Sequence, residues 1–297
     1  MRGIAIAHFM VTTAGPFLPS VSGMTSTEFA HLPHWLRPAG VRGLLLLLAF
    51  AGLLLVAGPI ESAAAGHAVA GLLVGAAVAT AGVVGYRALV GWLERRPVHE
   101  LALGPAPSGL LRAFGLGLLL FGIVIGLIAM CGGYRIAGWG SLTGTIATFG
   151  LMCGVAVTEE ILFRGVLFRL IQQWAGTAVA LTVSGVLFGA LHLLNPGATL
   201  WGALAIAVEA GVLLGAAYTA SRSLWLPIGL HLGWNFAESG LFGATLSGSA
   251  FHGGLVQGVP HGPSLISGGG FGPEASIFAI TVGVAASVWL LRSDRSR

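Results

Sequence analysis

Three short stretches of this chain carry side chains able to do hydrolytic chemistry. Residues 157–165 read VTEEILFRG and supply Glu159, Glu160 and Arg164. Residues 188–192 supply Phe188 and His192, with Asn195 just beyond. Residues 231–235 supply His231 and Asn235. Glu160 and Arg164, Phe188 and His192, and His231 and Asn235 each sit at i,i+4 spacing, which puts each pair on one face of a helix. Glu159 and Glu160 are neighbours, so on a helix their side chains point about 100° apart. Glu160 precedes Arg164 in the favourable acid-before-base order. The spacing therefore predicts a Glu160–Arg164 ion pair and leaves Glu159 to face a cavity.

Two chemistries are open to this set. His192, His231 and Glu159 are ligand types that can hold a zinc ion with one position left for water. Zinc would lower the pKa of that water to about 7. Alternatively, Glu159 with His192 activates water as a general base without metal. His231 and Asn235 would then stabilise the oxyanion. The residue types alone do not choose between the two.

The elements that position these groups are membrane helices. Of 297 residues, 56% are hydrophobic and 8% charged, against about 25% charged in a soluble domain. Apolar runs of roughly 20 residues read as spanning helices. They are too long for barrel strands of about 10 residues. The pattern predicts an all-α polytopic bundle of about eight helices, near 41–60, 67–92, 110–131, 143–172, 177–194, 199–220, 223–240 and 275–292. Residues 1–40, with four prolines between 16 and 38, read as a cytoplasmic tail ahead of a bundle over 41–297. The motifs define a catalytic core at about 143–240.

The net charge is +4 and every basic residue is arginine. Arg37, Arg42, Arg95, Arg96, Arg112, Arg169, Arg222, Arg292, Arg295 and Arg297 fall on one side of such a bundle, and Arg135 on the other. That asymmetry puts both termini in the cytoplasm of a multi-pass cell-membrane protein. No basic patch with interleaved aromatics points to nucleic acid. Cys131 and Cys153 lie in apolar runs without CxxC spacing and read as small buried hydrophobes. At 1.5 Å per residue, Glu159 and His192 lie roughly 20 Å from the cytoplasmic ends of their helices and His231 roughly 12 Å. The three groups can therefore meet inside the bilayer.

The ordered triplet EExxxR (Glu159, Glu160, Arg164), FxxxH (Phe188, His192) and HxxxN (His231, Asn235) resembles the CPBP family. These are CAAX-prenyl-protease and bacteriocin-processing proteins, also called Abi proteins. The resemblance implies intramembrane endopeptidase activity, usually classed as metalloprotease, with Glu159, His192, His231 and Asn235 lining the site. It implies membrane-bound peptide or protein substrates, prenylated CAAX tails among them.

Other polar residues have plainer readings. Glu209 either lines the cavity or pairs with a histidine. Glu238 reaches the membrane interface, and His252 and His261 are solvated in a Gly-rich outer loop. Residues 268–276 are a loop, with Pro273 and Glu274 suited to the start of the last helix. Intramembrane carboxylates and histidines also build proton relays, so a proton- or ion-coupled transporter is the alternative function. A water-filled cone open to the cytoplasm would favour hydrolysis. A pathway reaching both faces would favour transport.

Overall fold

A computed structural model describes residues 32–104, 106–249 and 253–295. Most of the predicted tail, residues 1–31, lies outside the described residues, as does His252. Helices α1 (Ala39–Ala64), α2 (Ala68–Leu93) and α3 (Ala106–Met130) come first. A strand, β1 (Tyr134–Trp139), leads into α4 (Leu142–Glu160). A π-helical stretch, Ile161–Phe168, joins α4 to α5 (Arg169–Leu191). Then come α6 (Leu200–Ile206), a second π stretch (Ala207–Val212) and α7 (Leu213–Ser221). Helix α8 (Trp225–Asn235) runs into a third π stretch, Phe236–Leu241. The order closes with β2 (Val256–Pro260), the short α9 (Ser264–Ser267) and α10 (Ile277–Arg295).

Five helical stretches are long and apolar enough to cross a bilayer: α1, α2, α3, the run Leu142–Leu194, and Leu200–Ser221. The run of 53 residues makes two legs, because Gly176 breaks it at φ 82°. A side chain at that φ would be strained, so glycine permits the turn. With 225–241 and α10, the described residues form the eight legs of an all-α membrane bundle. The first leg continues to Ala64, past the predicted end at 60, and so takes in Glu61.

Small residues set the contacts that position the motif helices. A Cβ on Gly75 of α2 would lie 1.7 Å from the Gly150 carbonyl oxygen of α4. A Cβ on Gly233 of α8 would lie 2.2 Å from the Phe114 carbonyl oxygen of α3. Glycine at both places lets backbones touch, as membrane helices need when packing rather than water drives association. The helix carrying Glu159 is thus seated on α2, and the helix carrying His231 on α3.

Each end of the bundle has its own closure. At the arginine-poor end, β1 and β2 pair antiparallel, with a bulge between Ile136 and Gly138. The Tyr134 hydroxyl donates to the Phe242 carbonyl at 2.6 Å. This small sheet replaces part of the expected structureless outer loop. Residues 268–276 likewise hold a 3-10 turn, Pro273–Ala275, rather than loop alone.

At the arginine-rich end the charges are internal. Arg96 donates to Glu94 (2.7 Å) and Glu100 (2.6 Å), and Arg169 donates to Glu94 (2.8 Å). Burial opposes the charge on Glu100, but hydrogen bonds from Arg96 and Tyr86 outweigh it and hold the carboxyl below its ordinary range. Burial likewise opposes the charge on Arg96, and its bond to Glu100 outweighs that and raises it.

Candidate active site

The π stretch that begins at Ile161 sits directly after the two glutamates. Such a stretch widens the helix and shifts which residues share a face, and it recurs at functional sites. Here Glu160 turns inward and is wholly buried, and Arg164 meets it at 2.8 Å, the contact expected from their spacing. Arg164 does more than neutralise Glu160. Its Nη2 donates to the carbonyls of Ala210 (3.3 Å) and Gly211 (3.0 Å) in the second π stretch. A π turn frees carbonyls from the regular ladder, and the guanidinium satisfies them. The guanidinium also lies 4.6 Å from the centroid of the Phe188 ring.

Glu160 has a second partner, from a different helix, that local spacing does not reveal. His231 donates from Nδ1 to Glu160 Oε1 at 2.9 Å. That bond fixes the ring and leaves Nε2 as the free nitrogen. Nε2 lies 3.9 Å from Glu159 Oε2. This is too long for a direct hydrogen bond, and suits a water touching both. Glu159 Oε2 is buried and has no hydrogen-bond partner.

Phe188 organises the second motif. Its ring packs against His192 (centroids 5.0 Å apart) and edge-on to His231 (6.0 Å). His192 donates from Nδ1 to the Phe188 carbonyl at 2.8 Å, which again leaves Nε2 for the cavity. Beyond it, Asn195 Nδ2 donates to the Ser247 carbonyl at 2.7 Å and ties the end of this leg to the loop after α8.

These groups line two adjoining cavities. The larger, about 580 Å³, has Glu159, His192 and Asn235 in its wall. Its size falls in the range of about 300–1,000 Å³ typical of ligand pockets. The smaller, about 20 Å³, is lined by His192, His231 and Asn235 and has room for about one water. His192, Asn235 and Ser247 belong to both walls. Glu159, His192, His231 and Asn235 therefore line two cavities that share part of their walls.

The larger cavity is also lined by Glu61 and by exposed Gly58, Ser62 and Gly66 around the end of α1, and by Leu246 and Ser249. That is the arginine-poor end, where β1 and β2 lie.

Three further acids belong to this region. Glu61 lines the larger cavity, with Oε1 buried, unpartnered and packed over Gly154. The signal for it was an acid at the edge of an apolar run, hidden by ending that run at 60. Glu209, in the second π stretch, is wholly buried and lines the smaller cavity. Glu238, in the third, is also wholly buried and does not reach the interface. The π turn carries it inward, toward Glu274, which accepts a hydrogen bond from Ser247. His261 is exposed.

The fit to a metal can be judged from the donors. Among the described residues, no three His, Cys, Asp or Glu side chains come close enough together to hold a metal ion. His231 uses Nδ1 on Glu160 and His192 uses Nδ1 on backbone. One ring nitrogen from each and the Glu159 carboxylate remain.

Comparison with known proteins gives a family match. Residues 141–237 match the family described as type II CAAX prenyl endopeptidase Rce1-like. The matched stretch contains all three motifs. No curated protein and no solved structure matches the chain.

Proposed function

Since residues 141–237 form a Rce1-like segment of the CPBP family, we propose that this multi-pass membrane protein is an endopeptidase that hydrolyses membrane-associated peptides with a glutamate-activated water. The observation that carries the reading is Glu159 Oε2, buried, unpartnered and 3.9 Å from His231 Nε2 in the wall of a cavity shared with His192 and Asn235.

The steps follow from the geometry. A water between Glu159 and the histidines gives its proton to Glu159 and attacks the scissile carbonyl. His192 holds that water through Nε2. Asn235 and His231, protonated at Nε2, donate to the developing oxyanion. Glu160, on Nδ1, balances charge on the ring and keeps its orientation, while Arg164 keeps Glu160 in place. Glu159 then returns its proton to the leaving amine, and the C–N bond breaks. No step is routed through a metal. To hold zinc, which would supply an acidified water, Glu159 and the Nε2 atoms of His192 and His231 would have to draw closer than they stand.

The test is cleavage profiling of the purified protein in detergent against a peptide library, with and without chelator. Cleavage that survives chelator and is lost in Glu159→Gln supports the reading. Cleavage that persists in Glu159→Gln overturns the role of Glu159. Transport has no support in the family match.

A further inference from the structure

On the hydrolytic reading above, on which this assignment rests, we infer that Ser247 is a further substrate-binding residue. Its hydroxyl oxygen accepts a hydrogen bond from a backbone N–H of the peptide at or beside the scissile bond, and Glu274 positions that hydroxyl. Both residues lie beyond the family-matched stretch 141–237.

Ser247 occupies a place where the backbone favours glycine. The Ser249 N–H donates to the Leu246 carbonyl at 2.7 Å, closing a turn with Ser247 and Gly248 at its centre. Both central residues have positive φ, 51° and 70°. That is the pattern of a type I′ turn, in which glycine, asparagine and aspartate dominate. Among the described residues, the other non-glycine residues at positive φ are Arg95 and Arg222, both at helix ends. A left-handed residue is an ordinary helix stop. Ser247 ends no helix, since the third π stretch closes at Leu241. The turn is also held without its side chain. The Gly248 N–H donates to the Phe271 carbonyl (2.6 Å), and Asn195 Nδ2 donates to the Ser247 carbonyl (2.7 Å). Glycine at 247 would keep both bonds and relieve the backbone. A side chain retained against that strain points to a use for its hydroxyl.

The surroundings of the hydroxyl give the use. Ser247 is buried and lines both cavities, as His192 and Asn235 do. Its Oγ donates to Glu274 Oε2, and Glu274 is itself buried and lines the smaller cavity. A hydroxyl has one hydrogen and two lone pairs. With its hydrogen on Glu274, Oγ has only acceptance left to offer. The other groups are already engaged in the proposed steps. Glu159 takes the proton of the water, His192 holds that water, and Asn235 and His231 donate to the oxyanion. An enclosed peptide also brings N–H donors, which are costly to bury unpaired. Ser247 supplies an acceptor for one of them, and its bond to a carboxylate strengthens that acceptor.

The test removes the hydroxyl from the enzyme and the N–H from the substrate. Replacing one backbone amide by an ester deletes a single N–H. A series of such depsipeptides carries the ester at the scissile bond or at one of the bonds on either side. Each is cleaved by the wild type and by Ser247→Gly, the substitution that the turn accepts. The change in kcat/KM on substitution is compared between amide and ester, so the intrinsic reactivity of the ester cancels. At one position, Ser247→Gly should slow the amide about five- to tenfold more than the ester, the effect of one hydrogen bond. Glu274→Gln, whose amide oxygen still accepts from Ser247, should keep most of the wild-type discrimination, and Glu274→Ala should lose it. Wild-type discrimination in Glu274→Ala overturns the positioning role of Glu274. A purely structural Ser247 would slow every peptide alike, so equal slowing of amide and ester at every position overturns the assignment while hydrolysis stands. Failure of the wild type to cleave any peptide takes down the hydrolytic reading and the assignment together.

Discussion

The bundle holds two buried sets of charges, and they are finished differently. At the arginine-rich end, both oxygens of Glu94 and both of Glu100 accept a bond from Arg96 or Arg169. In the middle, one oxygen each of Glu61, Glu159 and Glu160 and both of Glu209 have no partner. A buried carboxylate left open costs stability, so a network built only for structure closes itself. Glu61, Glu159 and Glu209 line cavities, where water or substrate can complete their open oxygens. The end set fastens helices, and the middle set keeps unspent bonding capacity.

The contrast can be broken by substitution. The largest expected effect is Glu159→Gln, which should lower the cleavage rate by about 10²–10⁴ with unchanged melting, as loss of a general base does. Unchanged rate would place Glu159 with the structural set. Next is Arg164→Ala, which strands Glu160 and the freed carbonyls of Ala210 and Gly211. Breaking a buried pair costs about 3–5 kcal/mol, so membrane accumulation and melting temperature should both fall. Wild-type accumulation would show that Arg164 does not fasten these elements. Asn235→Ala should cost about 10²–10³ in rate, read from initial velocities at saturating peptide, with little change in melting. A fall in melting with no fall in rate would remove Asn235 from the oxyanion role.

The smallest effect concerns pH and the end set. Glu100 is held below the ordinary glutamate value of 4.5, so its contribution is fully present above that value. It is lost as pH falls through the lowered one. Melting in detergent should therefore weaken as pH drops below about 4.5, and Glu100→Gln should flatten that slope. An unaltered slope in the variant would assign the acid sensitivity to another group.

Much of the site was legible because its residue types are costly in lipid. Glu159, Glu160, Arg164, His192, His231 and Asn235 stand out against apolar helices, and i,i+4 spacing was enough to pair Glu160 with Arg164. The eight legs followed from apolar run length. What escaped depends on backbone departures from a regular period. A sequence read at 3.6 residues per turn contains no sign of the π stretches, so Glu238 was placed at the interface and the His231–Glu160 bond went unseen. Glu61 lies one residue past the end of the apolar run at 60, although the helix continues to Ala64. The strands YRIAGW and VQGVP are short and interrupted by glycine, so their alternation was too weak to read.

The π stretches also bear on how such a chain can change length over evolutionary time. Each wide turn is the footprint of an extra residue held in an otherwise regular helix. Removing one residue from 161–168, 207–212 or 236–241 would let that helix close to its normal period. Everything beyond the cut would then swing by about 100° relative to what precedes it. Within 207–212, that swing would carry α7 out of register with α6, and the Ala210 and Gly211 carbonyls off Arg164. Single-residue insertions and deletions should be absent from these three windows in descendants that keep the activity, and free to accumulate in the turn at 195–199 or the segment at 261–263.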